Sequence, residues 1–172
     1  MEGMRKQWIA WIVAASSLAA VSAQAQTKPL GALIRAGIFS PTDNDAGNLG
    51  QAWFTGGVEL GLGRFPLFKG GGQFPGKWSL SGDAYSKAGA SAVPITLNYI
   101  QYTSSHFFWN VGLGGALAHR PNFEDSFELA YQVGVGYDLG GGTPVTFQIR
   151  FFSVNNVGSF LDGFAFTVGL RL

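Results

Sequence analysis

The sequence contains no cysteine, which excludes a disulfide framework and a thiolate metal site. Only 12% of its 172 residues are charged, about half of the ~25% that is usual in globular proteins. So few charges could hardly cover a surface that faces water on all sides. Glycine and proline, at 26 and 7 residues, interrupt the chain too often for long helices. These features favour short strands and many turns.

The few charges are balanced in sign. The full chain has 11 basic and 10 acidic residues, and loss of Glu2, Arg5 and Lys6 with a cleaved N-terminus would leave nine of each. Such a balance provides no excess of basic residues for binding nucleic acid. We therefore expect no nucleic-acid partner.

Residues 1–25 have the three parts of a secretory signal peptide. Arg5 and Lys6 precede an apolar stretch at 8–21, and Ala23-Gln24-Ala25 is a small-residue cleavage site. The alternative is a retained membrane helix, but the apolar stretch is shorter than the ~20 residues needed to span a bilayer. We expect cleavage after Ala25 and a single domain at 26–172.

The second half of the chain alternates apolar residues with small or polar ones across several turn signals. Successive side chains of a strand point to opposite faces, so each such segment has one apolar face. One example has Phe164, Phe166, Val168 and Leu170 on the same face. Because open sheet edges cannot face lipid, a membrane protein built of such strands must close on itself. The pattern predicts an all-β fold, a closed antiparallel up-and-down transmembrane β-barrel.

The length of the domain fits about eight strands of roughly ten residues each. The aromatic content of 15% agrees with this class, because aromatic residues gather at both membrane interfaces of such barrels. The predicted strands are 30–40, 53–64, 77–87, 92–103, 106–119, 126–139, 144–154 and 160–172. With both termini in the periplasm, the connections at 41–52, 88–91, 120–125 and 155–159 would face outside. The connection at 65–76 is longer than the tight turn expected there.

Placing the apolar faces toward lipid puts a set of charged side chains in the barrel interior. An eight-stranded barrel is just wide enough for its own side chains, so these charges are expected to form one paired network that plugs the interior. Glycines at inner positions, such as Gly112, Gly134 and Gly169, would make room for them. The predicted charge network consists of Arg35, Glu59, Asp83, Lys87, Glu128, Arg150 and Arg171, accompanied by Gln132 and Gln148.

Two other arrangements of the same faces remain open. The charges could line a narrow polar path for ions, which would make the protein a porin-like pore. The inverse arrangement, with apolar side chains inside, would give a lipocalin-like carrier, but its outer wall would be mostly Gly, Ala and Ser. A plugged barrel is the main prediction.

Few residues could support catalysis or bind a metal. The histidines are His106 and His119, and His119 with Glu124, Asp125 and Ser126 could imitate the Ser, His and carboxylate set of a lipid-modifying enzyme at the barrel rim. A rim histidine is more often simply solvated. The acidic run at 43–45 lacks a full Ca²⁺ ligand set and is interpreted as an Asx-rich turn. We therefore predict no enzyme activity, no catalytic residues, no metal and no cofactor.

Several strand segments resemble those of the outer-membrane protein β-barrel family, small eight-stranded barrels akin to the membrane domain of outer membrane protein A. These segments are RAGIFSP (35–41), WSLSGDAY (78–85), AVPITLNY (92–99), VGLGGA (111–116) and YQVGVGY (131–137). The resemblance implies a location in the cell outer membrane after secretion through the inner membrane. It implies outer-membrane lipids and the barrel assembly machinery as partners, and no reaction. Because fold does not fix function, a structural or surface-interaction role is an expectation.

Overall fold

The computed structural model describes residues 31–63, 76–140, 143–155 and 158–172. They form eight β-strands, a short α-helix α1 (Asn44–Asn48) between the first two strands, and a 3₁₀ helix (Gly158–Leu161) before the last. The strands are β1 (Ala32–Pro41), β2 (Trp53–Gly63), β3 (Lys77–Lys87), β4 (Ala90–Tyr102), β5 (Phe107–His119), β6 (Ser126–Gly140), β7 (Thr143–Val154) and β8 (Gly163–Arg171). No helix in these residues is long and apolar enough to cross a membrane.

The predicted fold class is confirmed, because each strand pairs antiparallel with the next and β8 pairs with β1 to close the barrel. Arg35, for example, lies opposite Gly57 on β2 and Gly169 on β8. Closure leaves no strand edge unpaired. All eight predicted strands are present, with ends that differ from the prediction by at most three residues. The predicted signal peptide at 1–25 and most of the long 65–76 connection lie outside the described residues.

The two faces of the wall differ as the alternation predicts. On β8, Phe164, Phe166, Val168 and Leu170 are exposed on the outside, and the residues between them are buried inside. The same outward apolar face recurs on the other strands, so the lipocalin-like inverse arrangement is not adopted. The polar residues of the alternation therefore face the barrel interior, here called the lumen.

The barrel has two different ends. The terminal end holds the start of β1, the end of β8 and the connection at 103–106. The loop end holds the connections at 42–52, 88–89, 120–125 and 155–162. At the loop end the segment predicted as an Asx-rich turn begins helix α1, and the Asp43 carboxylate accepts hydrogen bonds from the backbone N–H groups of Asp45 and Ala46. Asp43 is thus the N-cap of this helix.

Close strand contact depends on glycine at particular inner positions. A Cβ added at Gly37 would overlap the backbone carbonyl oxygen of Phe166 on β8, whereas a Cβ at Gly82 would meet no atom within 4 Å. Backbone atoms of a paired strand cannot move aside cheaply. Gly37 therefore lets β1 and β8 close the barrel.

We predict that Gly37→Ala destabilises the barrel by about 1–3 kcal/mol, the usual cost of overpacking. Urea unfolding of the protein refolded in detergent micelles measures this as a lower midpoint. The matched control Gly82→Ala should leave the midpoint almost unchanged. Equal midpoints for the two variants would contradict this account of the strand contact.

Candidate functional site in the barrel lumen

The centre of the lumen holds four charged side chains, here called the Asp83 network: Arg35, Glu59, Asp83 and Arg150. Arg35 donates to Asp83 through Nε (2.9 Å) and Nη2 (2.7 Å), and to Glu59 through Nη1 (2.8 Å). Arg150 donates to both carboxylate oxygens of Asp83 at 2.9 Å. Asp83 therefore accepts from both guanidinium groups in bidentate geometry, the strong form of this pairing.

The network crosses the barrel rather than following neighbouring strands. Arg35 is on β1, Asp83 on β3 and Arg150 on β7, and none of these strands pairs with another of the three. Glycines on the intervening strands leave the necessary space. A Cβ at Gly57 would collide with the Asp83 carboxylate, and a Cβ at Gly134 would lie 2.6 Å from Cγ of Arg150. The inner glycines thus make room for the long charged side chains.

Amide and hydroxyl groups extend the network to β4 and β6. The Gln132 side-chain carbonyl accepts from Arg150 at 3.2 Å, and its amide donates to Thr96 Oγ1 at 3.0 Å and to the Asn98 side-chain oxygen. The Asn98 amide in turn donates to Ser81 Oγ at 3.0 Å. Hydrogen bonds therefore run from β1 through the lumen to the far wall.

The network is both buried and balanced in charge. Arg35, Asp83 and Arg150 are each no more than 2% exposed, and two arginines face two carboxylates. Removing one member of a buried ion pair leaves an uncompensated charge out of water, which costs far more than a surface pair contributes. Asp83 is the critical member, because it is shared by both arginines.

The loop end of the lumen is closed by an apolar group, here called the loop-end cap: Phe39, Trp53, Tyr85, Phe152 and Leu161. The rings of Phe39 and Tyr85 stack with centroids 4.0 Å apart, and the ring of Phe152 lies 5.9 Å from that of Tyr85. The Tyr85 hydroxyl donates to the carbonyl of Leu161 at 2.8 Å. All five side chains are almost fully buried. The guanidinium of Arg150 packs on the ring of Phe152, so the cap rests directly on the Asp83 network.

The terminal end of the lumen holds a polar group, here called the mouth: Tyr102, Asp138 and Arg171. Buried apolar side chains face inward at the same end, namely Leu33, Ile100 and Phe108. The Tyr102 hydroxyl donates to Asp138 at 2.7 Å, and Arg171 lies 3.2 Å from the same carboxylate. The Arg171 side chain is 38% exposed. The mouth is therefore in contact with solvent, whereas the loop-end cap is not.

The predicted charge set does not meet in one shared network. Arg35, Glu59, Asp83 and Arg150 meet in the centre, but Arg171 lies at the mouth. Lys87 is exposed at the loop end, where it donates to the backbone carbonyl of Ala52 at 3.2 Å. Glu128 is half-buried, and no hydrogen bond or ion pair joins it to another described residue. The physical reason is distance along the strand, since each residue advances the chain by about 3.3 Å. The alternation shows that a side chain faces inward, but it does not show at which level of the barrel that side chain lies.

Sequence reasoning missed Asp138 and the aromatic cap. Asp138 shares the inward phase of Glu128 and Gln132 on β6, so continuing the alternation to the strand end would have included it. Phe39, Trp53 and Tyr85 also occupy inward phases near the loop end. The assumption that every apolar side chain faces lipid concealed them.

At the loop-end rim, His119 contacts one of its predicted partners. His119 Nδ1 lies 2.5 Å from Asp125 Oδ1. Ser126 is the cross-strand partner of Ala118, and paired residues face the same side of the wall. His119 follows Ala118 and therefore faces the other side, where its cross-strand partner is Ser91. Glu124 is exposed on the connecting loop. The described contacts thus provide a His and carboxylate pair, but no hydrogen bond from a serine to His119.

Two loops at the loop end are fastened to each other, an arrangement here called the loop clasp. Ser159 donates to the Asp43 carboxylate at 2.8 Å, and the Thr42 N–H donates to the carbonyl of Asp162 at 2.9 Å. The Asp162 carboxylate accepts from Ser153 and from the Val154 N–H, both at 3.0 Å. The hydrogen bond from Ser159, with those from Ala46 and Asp45, holds the pKa of Asp43 below its ordinary value of 3.8.

We predict that Asp83→Asn lowers the free energy of unfolding by about 3–5 kcal/mol, because it leaves two buried arginines facing a neutral amide. The urea midpoint of the refolded protein measures this. Glu59→Gln is the matched control, and it should cost less because Glu59 accepts one bond from Arg35 alone. An Asp83→Asn barrel as stable as the unsubstituted one would refute the role of Asp83.

A second prediction concerns the loop clasp and pH. Because the pKa of Asp43 is lower in the folded protein than in the unfolded chain, ionised Asp43 stabilises the fold above the unfolded value. That contribution is lost as pH falls through the folded value. The difference in unfolding free energy between the unsubstituted protein and Asp43→Ala should therefore shrink between about pH 7 and about pH 3. The corresponding difference for Asn44→Ala should stay constant, and a constant Asp43 difference would contradict the prediction.

Comparisons with known proteins agree with this geometry at the level of the fold. No protein-family model and no curated protein matches the chain. A de novo designed transmembrane β-barrel matches with a TM-score of 0.54 and 9% identity, over 86% of this chain and 99% of the design. The Yersinia pestis outer membrane protein Ail matches with a TM-score of 0.52 and 8% identity, over 84% and 100% of the two chains. The outer membrane enzyme PagL matches with a TM-score of 0.52 and 16% identity, over 81% and 98%.

These similarities confirm that the chain has the fold of small eight-stranded outer-membrane β-barrels. Because one neighbour is an enzyme and the identities are low, the likeness carries no particular activity.

Proposed function

We propose that this barrel, which shares the fold of small eight-stranded outer-membrane proteins, is itself a non-enzymatic outer-membrane protein with a sealed lumen. Its role would be structural or one of surface interaction through the loops at 41–52 and 120–125. Cleavage after Ala25, secretion through the inner membrane and insertion by the barrel assembly machinery belong to the same proposal. Outer-membrane lipids are its expected surroundings.

The outer surface supports a membrane position. Aromatic side chains lie on the outside near both ends of the barrel, as in the aromatic girdles at the two membrane interfaces. Near the terminal end, Trp78 and Trp109 are partly exposed on the outside. Their rings cover the buried ring of Tyr99, at centroid distances of 5.3 and 6.0 Å. Near the loop end, Phe54 and Phe127 are both more than 70% exposed. Exposed Ile, Leu, Val and Phe side chains occupy the wall between them.

The observation that carries the sealed lumen is the double closure around Asp83. The Asp83 network fills the centre with paired charges, and the loop-end cap closes the loop end with buried rings. An ion crossing the barrel would have to separate buried ion pairs and displace the cap. The first step requires desolvated charges to lose their partners, and the second exposes buried apolar rings to water.

The loops leave a distinct surface for a partner. The Arg120 guanidinium lies 4.4 Å from the ring centroid of Phe123 and 5.9 Å from that of Phe160. These two contacts bring the 120–125 and 155–162 connections together. Phe123 remains largely exposed. Such an aromatic and basic surface, beside the loop clasp, supports surface contact as the role of this end.

The test is single-channel conductance of the mature protein refolded into a planar bilayer, with heat-dependent gel mobility as the control for folding. We expect a heat-modifiable barrel without steady conductance. Reproducible open events would instead support the narrow porin-like pore. In that case Arg150→Ala and Glu128→Ala should change its ion selectivity.

The contact between His119 and Asp125 supports a second candidate, a lipid-modifying activity at the rim. A histidine held by a carboxylate on Nδ1 keeps Nε2 for proton transfer. The test compares acyl-chain release from lipid A by the unsubstituted barrel and by folded His119→Ala. Release that depends on His119 would favour the enzyme, and equal amounts in both would eliminate it.

A further inference from the structure

A polar cavity of about 420 Å³ lies at the loop end, where the end of β1 meets the segment that carries helix α1. Its volume is within the range of about 300–1,000 Å³ that is usual for ligand pockets, but such pockets are mostly apolar. Here hydroxyl, carboxylate and amide side chains dominate the lining. These residues are Ser40, Thr42, Asp43, Asn44, Asn48 and Gln51.

Asp43 is the charged residue of the described lining, and its carboxylate is already engaged. Oδ1 accepts from the backbone N–H groups of Asp45 and Ala46 at 2.8 and 3.2 Å, and Oδ2 accepts from Ser159 at 2.8 Å. These three hydrogen bonds occupy most of the roughly four acceptor sites of a carboxylate. A cation would therefore find little free acceptor capacity, and the cavity is better suited to an uncharged ligand.

The amides of Asn44, Asn48 and Gln51 are available to such a ligand, because no hydrogen bond joins them to another described residue. Each amide offers two N–H donors and one carbonyl acceptor. Asn44 and Asn48 are four residues apart on α1, so they lie on the same side of the helix. A matching ligand must donate and accept at closely spaced positions. The hydroxyl groups of a saccharide do both.

Helix stability does not explain the sequence of α1. Four of its five residues are Asn, Asp or Gly, which are weak helix formers. The surrounding structure holds the helix instead. Ala46 is fully buried beneath it, and the Trp53 indole N–H donates to the carbonyl of Gly50, just after its end, at 2.7 Å. Amides on a helix anchored in this way are positioned before a ligand arrives, which lowers the entropic cost of binding.

We propose that this cavity binds a neutral saccharide, with Asn44, Asn48 and Gln51 as the main hydrogen-bonding groups. The inference rests on the proposed surface role of the loop at 41–52, for which it names the class of partner. An acidic glycan fits less well, because the carboxylate of Asp43 lies in the lining. An extended peptide fits less well, because it adds to an exposed sheet edge and the closed barrel leaves none.

The test uses the mature barrel in phosphatidylcholine nanodiscs, which carry no sugar, on an array of immobilised neutral and acidic oligosaccharides. The unsubstituted protein should bind neutral members of the array. The double variant Asn44→Ala/Asn48→Ala should bind them about tenfold or more weakly, equivalent to about 1.4 kcal/mol. Because alanine is the best helix former, this variant retains α1. Heat-dependent gel mobility confirms that the barrel is folded.

The matched control is Asn155→Ala, which removes an exposed amide at the same end of the barrel but outside the described lining. It should bind like the unsubstituted protein. Binding to acidic members alone would overturn the neutral class of ligand. Equal binding by the double variant would place the saccharide outside the cavity, and the surface role would stand without this site. Absence of binding to every member would refute the saccharide site, whereas the sealed lumen is judged separately by conductance.

Discussion

The carboxylate of Asp83 is shared by two arginines that reach it from different walls of the barrel, and the rest of the interior is arranged around that contact. The Asp83 carboxylate and the Arg150 side chain can occupy their places in the lumen only because Gly57 and Gly134 carry no side chain. The loop-end cap then rests on Arg150 through Phe152. Backbone hydrogen bonds between the strands would by themselves form only a hollow wall. The Asp83 network makes it a filled body, with walls tied by charge at the centre and by the apolar cap at the loop end.

The fold could be predicted from the sequence because lipid outside and polar groups inside impose a two-residue period on every strand. That period gave all eight strands and the inward phase of Arg35, Asp83 and Arg150. The period does not predict which inward-facing residues lie at the same level of the barrel, because that depends on strand tilt and on the register between strands. Lys87 and Arg171 have the correct phase but lie at opposite ends of the barrel. The cap escaped prediction because Phe39 and Tyr85 break the rule that apolar side chains face lipid.

The two ends of the lumen have different physical character, which bears on function. At the loop end, buried rings and the loop clasp hold the connections together. At the terminal end, Tyr102, Asp138 and Arg171 remain in contact with solvent. A buried loop-end cap and a solvent-exposed mouth are compatible with the proposed non-conducting barrel, because the Asp83 network separates them. The same fold could conduct only if both the network and the cap opened.

The central claim is that Asp83 and Arg150 act as a coupled pair that ties the walls together. A double-mutant cycle with Asp83→Asn, Arg150→Gln and the combined variant, followed by urea unfolding in micelles, measures this coupling directly. Our account predicts a coupling energy of about 1 kcal/mol or more, well above the ~0.3–0.5 kcal/mol within which independent sites add. Additive losses of stability would show that the two side chains do not depend on each other, and would contradict the account.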